Sequence, residues 1–277
     1  KTARDIYEYL TVSDIQETAD ILYPLYEKTH GIDGFISLEP PAQFAYDLPG
    51  TIKEVERLFH KVNRKNVMIK MPATPQGVEA LPHLIGKGIN INVTLIFSDM
   101  VYFEIAHGYL QGLRELKQNG GDLSKVASVA SVFVSRIDTA VDKLLEMKAA
   151  GEKDPKSKSE IESLRGKTAV ANMKTINVLY VETFTSNSFR LLEAQGAGKQ
   201  RLLFGSTSAK NPAYSDVKYV EEIIGKDTIN TVPYETLRAF QDHGKAGLTL
   251  FQGLEKARSI LTQVETLGID LQEVYSG

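Results

Sequence analysis

Hydrophobic and polar positions alternate with period two in three early stretches of this chain, each followed by a segment of helical period. In "GFISLEP" (34–40), Ile36 and Leu38 oppose Ser37 and Glu39. In "NVMIKMPAT" (66–74), Val67, Ile69 and Met71 oppose Met68 and Lys70. In "INVTLIFS" (91–98), Ile91, Val93, Leu95 and Phe97 oppose Asn92, Thr94, Ile96 and Ser98, with Asn90 in the polar phase just before. Successive strand side chains point to opposite faces. The aliphatic set is therefore expected against helices, and the set with two asparagines and a threonine against something polar.

The same patterning predicts further strands at 125–137, 200–208 and 228–233. Helices are expected over 5–29, with Ser13 and Gln16 as a capping box and a kink at Pro24, and from Thr51 with Glu54 to about Asn63. Thr74-Pro75 supplies an N-cap and an N1 proline for the next helix. A long helix follows Ser98 to about Lys117, two more fill 138–195, one covers 214–224, and helices close the chain. The charged "GEKDPKSKSE" (151–160) reads as a solvated loop. Gly196-Ala197-Gly198-Lys199 reads as a turn: no Ser or Thr follows the lysine, and it precedes a strand where a phosphate loop would follow one. Strands alternating with helices imply a parallel sheet under covering helices. The candidates are an α/β barrel of the (β/α)8 type and an open doubly wound sheet, and the second loses its best support because no glycine fingerprint follows a strand.

Composition narrows this little. The 277 residues are 42% hydrophobic and 24% charged, an ordinary globular balance, and a net charge of -3 gives no reason to expect nucleic acid or an anionic membrane as partner. No cysteine is present, which removes disulfides, thiolate nucleophiles and cysteine-based zinc sites and suits a cytoplasmic location. No run of eighteen apolar residues and no signal peptide is found. His30, His60, His83, His107 and His243 show no metal-ligand spacing.

Lys70 is the anomaly, because lysine is almost never buried without a partner. Glu39, Lys70, Asn92 and Thr94 share one phase on three successive strands, each toward the strand's C-terminal end, where barrel enzymes place their active sites. Desolvation disfavours the ammonium form, and a neutral amine attacks carbonyls to form a Schiff base. The protonated imine then withdraws electrons, so a neighbouring carbon–carbon bond breaks to leave an enamine. Glu39 can move protons, directly or through a water held with Thr94, and Asn92 can hold a substrate hydroxyl or carbonyl. This is imine-forming, class I aldolase chemistry. Arg136 after "SVFVS" and Lys210 in "GSTSAKNP" put cations where barrels often bind phosphate, with Ser131 and Ser206 to assist.

"MIKMPATPQG" (68–77), "GININVTLIFS" (88–98), "VASVASVFVSRIDTAVDK" (126–143), "LRGKTAVANMK" (164–174), "GSTSAKNPAYSDVKYVEEIIG" (205–225) and "TINTVPYETLRAFQDHG" (228–244) together resemble transaldolase, in the subgroup with Lys-Asn-Pro after the seventh strand. The resemblance covers nearly the whole chain. It implies a TIM barrel of the class I aldolase type, no metal and no cofactor, and transfer of a dihydroxyacetone unit between sugar phosphates in the pentose phosphate pathway. It further implies that Lys70 is the Schiff-base lysine, with Glu39 acting through a catalytic water that Thr94 positions. Asn92 and Ser131 become sugar-binding residues, Arg136 a phosphate-binding arginine, and Ser206 and Lys210 second phosphate contacts. "SLEPPA" around Glu39 departs from the family's Ser-Leu-Glu-Val-Ser-Pro, and Lys210 stands where some members carry arginine.

The six strands correspond to the third through eighth of the family barrel. Its first-strand catalytic aspartate and second-strand Thr-Ser-Asn-Pro-like motif have no counterpart, since Asp5, Asp14 and Asp20 lie in the opening helix. The sequence is thus read as a single transaldolase-like barrel domain over 1–277 lacking the family's N-terminal segment, either a fragment or a chain completed by another piece, with a homodimer or that segment as partner, and by itself inactive or badly impaired in proton transfer. Two other readings compete: an imine-forming aldolase that releases its product, and a non-catalytic remnant that binds sugar phosphate.

Overall fold

The computed structural model describes residues 2–276. In chain order the elements are α1 (Ala3–Lys28), β1 (Ile36–Leu38), α2 (Leu48–Val62), β2 (Val67–Pro72), α3 (Pro75–Gly86), β3 (Ile91–Ile96), α4 (Asp99–Gln118), β4 (Ser128–Phe133), α5 (Ser135–Gly151), α6 (Pro155–Ser163), α7 (Thr168–Thr185), α8 (Asn187–Glu193), β5 (Arg201–Gly205), α9 (Lys218–Glu221), β6 (Ile229–Asn230), α10 (Tyr234–His243), α11 (Leu254–Thr266) and α12 (Leu271–Ser276). The strands follow one another in the sheet in the order β1 to β6, and β1–β2, β2–β3 and β5–β6 pair in parallel. A doubly wound sheet reverses its order at a switch point. Sequential parallel order without reversal is the winding of a barrel wall, so the fold is α/β of the TIM-barrel type, with six strands among the described residues.

The chain divides into two compact units: Lys1–Thr94 with Glu104–Ala130 and Thr183–Gln200, and Leu95–Phe103 with Ser131–Glu182 and Arg201–Gly277. In the first, Val67, Ile69 and Met71 of β2 and Ile91 and Val93 of β3 are buried on the aliphatic phase. Val55, Leu58 and Val62 of α2 and Leu81, Leu84 and Ile85 of α3 are buried with them. The β2–α3 turn needs its glycine, because a Cβ on Gly77 would lie 2.0 Å from the Pro72 carbonyl oxygen. Thr74 caps α3 as expected, accepting from the Gly77 N–H at 3.1 Å.

Element ends differ from the sequence reading where a better cap lies upstream. Thr2 and Asp5 form the capping box of α1, and Pro24 sits within an unbroken helix. Gln16 instead donates to the Val62 carbonyl at 3.0 Å, an α1–α2 tie. Asp47 caps α2, leaving Thr51 and Glu54 buried inside it. The charged 151–160 stretch is not a loop throughout: Asp154 accepts from the Ser157 N–H and Pro155 opens α6. Residues 138–195 hold four helices, not two, and α9 is a single turn where 214–224 was expected. The strands are shorter than their apolar stretches, β4 ending at Phe133 because Ser135 already begins α5.

Asn90 joins three successive strand regions of the first unit. Its amide donates to the carbonyls of Lys65 (2.9 Å) and Val67 (3.0 Å), and its carbonyl oxygen accepts from the Ala127 N–H (2.8 Å). It is buried, so Asn90→Ala removes three bonds and strands backbone groups away from water. The substitution is expected to cost roughly 2–4 kcal/mol in urea unfolding; a loss below about 1 kcal/mol would show that the backbone finds other partners.

Candidate active site

Parallel register assembles the first group of candidate residues. Ser37 is the Cα partner of Met68, Lys70 of Asn92, and Pro72 of Thr94. Lys70 and Asn92 are thus side by side on one face, with Thr94 two residues beyond. Glu39 stands one residue past β1, and its carboxylate forms an ion pair with the Lys70 ammonium. The Asn92 amide donates to the Ser37 hydroxyl at 3.0 Å, reaching from β3 to β1 over the lysine strand. The Thr94 side-chain oxygen is buried and has no hydrogen-bond partner among the described residues, so its donor and acceptor capacity are unspent.

Lys70 is less shielded than its strand suggested. Its side chain keeps 27% of its exposure and that of Glu39 61%. The lysine is tolerated because a carboxylate compensates its charge, and that carboxylate is also the nearest group able to take its proton.

The expected alternation fails at Leu95. This residue has φ +61° and is 41% exposed, while Ile96 is fully buried. A left-handed residue turns the pleat over, so Leu95 leaves the aliphatic face it was assigned to and Ile96 enters the core. A left-handed leucine is costly, on the order of 1–2 kcal/mol, and it directly follows Thr94. Backbone strain of this kind concentrates at functional sites.

The second unit holds the other candidates. Ser131 is buried on β4. Arg136 lies in the first turn of α5, its guanidinium 5.0 Å from the centre of the Phe133 ring. Ser206 follows β5 with φ +55°; its hydroxyl lies 2.9 Å from that of Ser135 and its carbonyl accepts from the Ser135 N–H at 2.9 Å. Lys210 is exposed and donates to the Ser208 hydroxyl at 2.8 Å. Asp5, Asp14 and Asp20 all lie on α1, where Asp5 caps the helix and Asp20 pairs with Arg64.

Ser37 and Ser135 were not singled out from the sequence. Ser37 was signalled by its phase with Glu39, and Ser135 by its place beside Arg136. Nothing local signalled the carboxylates beneath α5. Asp138 accepts from the Ala169 N–H (2.7 Å) and the Tyr219 hydroxyl (2.8 Å). Asp142, one turn on, accepts from the Gly166 N–H (2.8 Å) and the Tyr214 hydroxyl (2.5 Å). These bonds tie α5, which carries Arg136, to the start of α7 and to the segment following Lys210. Burial pushes the Asp138 carboxyl up from 3.8 to about 6, against the hydrogen bonds that favour its charge. Burial likewise pushes both phenols up, reinforced by the carboxylates.

A raised carboxyl value means that the folded state holds the proton more tightly than the unfolded chain. The associated stability is present below pH 4 and is lost as pH rises through about 6. Asp138→Asn is expected to flatten this part of the stability–pH curve by roughly 3 kcal/mol between pH 4 and 7. Chemical unfolding across that range measures it, and an unaltered slope would exclude Asp138 as the titrating group.

The sequence pattern of the family described as Transaldolase/Fructose-6-phosphate aldolase matches residues 1–276. The chain is 44% identical over 268 residues to a protein named transaldolase from Thiobacillus denitrificans, covering 97% of this chain and 72% of that protein. It is 41% identical over 271 residues to a transaldolase from Trichodesmium erythraeum, covering 98% and 71%. A transaldolase 2 from Streptomyces coelicolor is 41% identical over 274 residues, covering 99% and 72%. With the lysine–carboxylate pair on a barrel-type sheet, these matches identify the chain as a member of the transaldolase/fructose-6-phosphate aldolase family.

Proposed function

We propose that this chain is a transaldolase that moves a dihydroxyacetone unit from a ketose phosphate to an aldose phosphate through a Schiff base on Lys70. The observation that carries the reading is the Lys70–Glu39 ion pair on a face shared with Asn92 and Thr94. In the resting pair the amine is protonated. Transfer of that proton to Glu39 leaves an amine able to attack the ketose carbonyl carbon. The carbinolamine then loses its oxygen as water, accepting the proton back from the acid form of Glu39. The resulting iminium draws in the electron pair of the bond between its α and β carbons as the hydroxyl on the β carbon gives its proton to the Glu39 carboxylate, which later returns it to the new hydroxyl of the product. An aldose phosphate departs and an enamine remains. Attack of the enamine on a second aldose phosphate, followed by hydrolysis, delivers the product and restores the lysine.

Thr94, with a buried hydroxyl whose capacity is unspent, suits a water that relays the proton. Asn92 and Ser131 orient the sugar. Arg136 takes the phosphate at the N-terminal end of α5, where backbone N–H groups favour an anion, and Ser206 and Lys210 supply the second contacts. A chain without cysteine and with no described helix long and apolar enough to cross a membrane fits a cytoplasmic sugar-phosphate enzyme.

Borohydride reduction in the presence of fructose 6-phosphate is expected to fix a stable adduct on Lys70, and Lys70→Ala to lose it entirely; an adduct persisting in that variant would reject the nucleophile. With erythrose 4-phosphate added, formation of sedoheptulose 7-phosphate distinguishes transfer from simple cleavage. Glu39→Gln is expected to slow turnover about 10²–10⁴-fold while Lys70 remains in place, as for loss of a general acid–base group. Full turnover in that variant would move the proton-transfer role elsewhere.

A further inference from the structure

A cavity of about 260 Å³ lies wholly within the second unit and shares no lining residue with the proposed catalytic groups. Four lysines line it: Lys167 and Lys174 from α7 and the residue before it, Lys218 at the start of α9, and Lys256 in the first turn of α11. Glu222 is the one carboxylate in the lining, and Lys218 claims it at 2.5 Å. Lys174 is turned to backbone, donating to the carbonyls of Gln252 (2.6 Å) and Thr249 (3.1 Å). The Lys167 and Lys256 ammonium groups have no hydrogen-bond or ion-pair partner among the described residues. The cavity therefore carries a surplus of three positive charges, two of them uncommitted.

Several ammonium groups held around one concavity repel each other and focus a positive potential into it. Burial holds the Lys174 ammonium below its ordinary range, opposed by the Glu222 charge and aided, more weakly, by that of Lys256. Lysine serves phosphate as a mobile point charge, without the fixed fork that arginine offers a planar carboxylate. The start of α11 adds to the field: its cap, Gly253, lines the cavity and supplies no side-chain acceptor to the first-turn N–H groups.

We propose that this cavity binds a small soluble phosphate-bearing anion, gripped by Lys167 and Lys256, with Lys218 and Glu222 forming its back wall. The stretch "LRGKTAVANMK" (164–174) contains two of the four lysines, neither of which the catalytic reading uses.

Calorimetric titration with pyrophosphate tests this, run on Arg136→Ala so that the proposed catalytic phosphate contact is weakened. Binding is expected to persist in that background and to weaken at least tenfold when Lys167→Glu and Lys256→Glu are added. The same charge change placed at Lys117 and Lys125, outside the cavity, is expected to leave it unaltered. Transaldolase turnover of the double cavity variant without added anion should match that of the unaltered chain, which separates this site from the catalytic reading. Absence of binding in the Arg136→Ala background, retention in the cavity variant, or equal weakening in both double variants would each overturn the proposal. If the glutamate variant does not fold, the unaltered protein gives the answer: pyrophosphate should protect Lys167 and Lys256, but not Lys117 or Lys125, from amine acetylation read by mass spectrometry. Equal labelling with and without pyrophosphate would overturn it.

Discussion

The arrangement in the first unit depends on one ion pair, Lys70 with Glu39, and on the strand register that makes it. Because Leu38 is partnered with Ile69, the next residue on each strand brings the carboxylate opposite the amine. A slip of one residue would turn Lys70 toward the helices and away from Glu39, where its ammonium would be desolvated at great cost. The pair therefore favours the register as much as the register makes the pair. Asn90, bonded to the Lys65 and Val67 carbonyls and the Ala127 N–H, fixes the neighbouring strands in the same alignment. The Asn92–Ser37 bond then closes the polar face across all three.

Much of this was legible because strand geometry converts spacing into direction. Lys70, Asn92 and Thr94 were placed on one face by counting alone, and their Cα partners agree. The reading failed where geometry departs from the period. Nothing in Leu95 as a residue type announces a left-handed backbone; leucine disfavours it, and only the surrounding structure imposes it. The Asp138 and Asp142 bonds were equally hidden, since their partners Gly166, Ala169, Tyr214 and Tyr219 lie 24 to 81 residues away in sequence. Helix α6 was misread for another reason. Charge density argued for a loop, but an Asp-Pro start and tertiary burial of Ile161 outweighed composition.

The two units use polar groups in opposite ways. In the first, polar side chains point at one another across a face and leave the Thr94 hydroxyl unspent. In the second, Asp138 and Asp142 are consumed by backbone N–H groups and phenols, and the strength of those bonds holds α5 in place. That division suits the proposed chemistry. Proton transfer at an amine needs groups that exchange partners, whereas an arginine that grips a phosphate with its planar fork gains from a fixed position. Arg136, stacked on Phe133 in the first turn of a helix anchored by buried carboxylates, is positioned in that second way.

Comparison of the lysines shows why the same residue type serves two ends. Lys70 has one carboxylate to itself on a strand whose other face is packed in the core. Charge is balanced locally, and the acceptor for its proton is already in contact, so the amine can be released on demand. Around the second-unit cavity one carboxylate faces four ammonium groups, and two of these have nowhere to send a proton or a bond. Such a cluster has no carboxylate beside Lys167 and Lys256 to take up and return a proton within a reaction cycle. It is a good anion trap, because the repulsion among its members falls when a negative charge enters. Counting carboxylates per lysine thus separates a site built to form a covalent bond from one built to hold a charge.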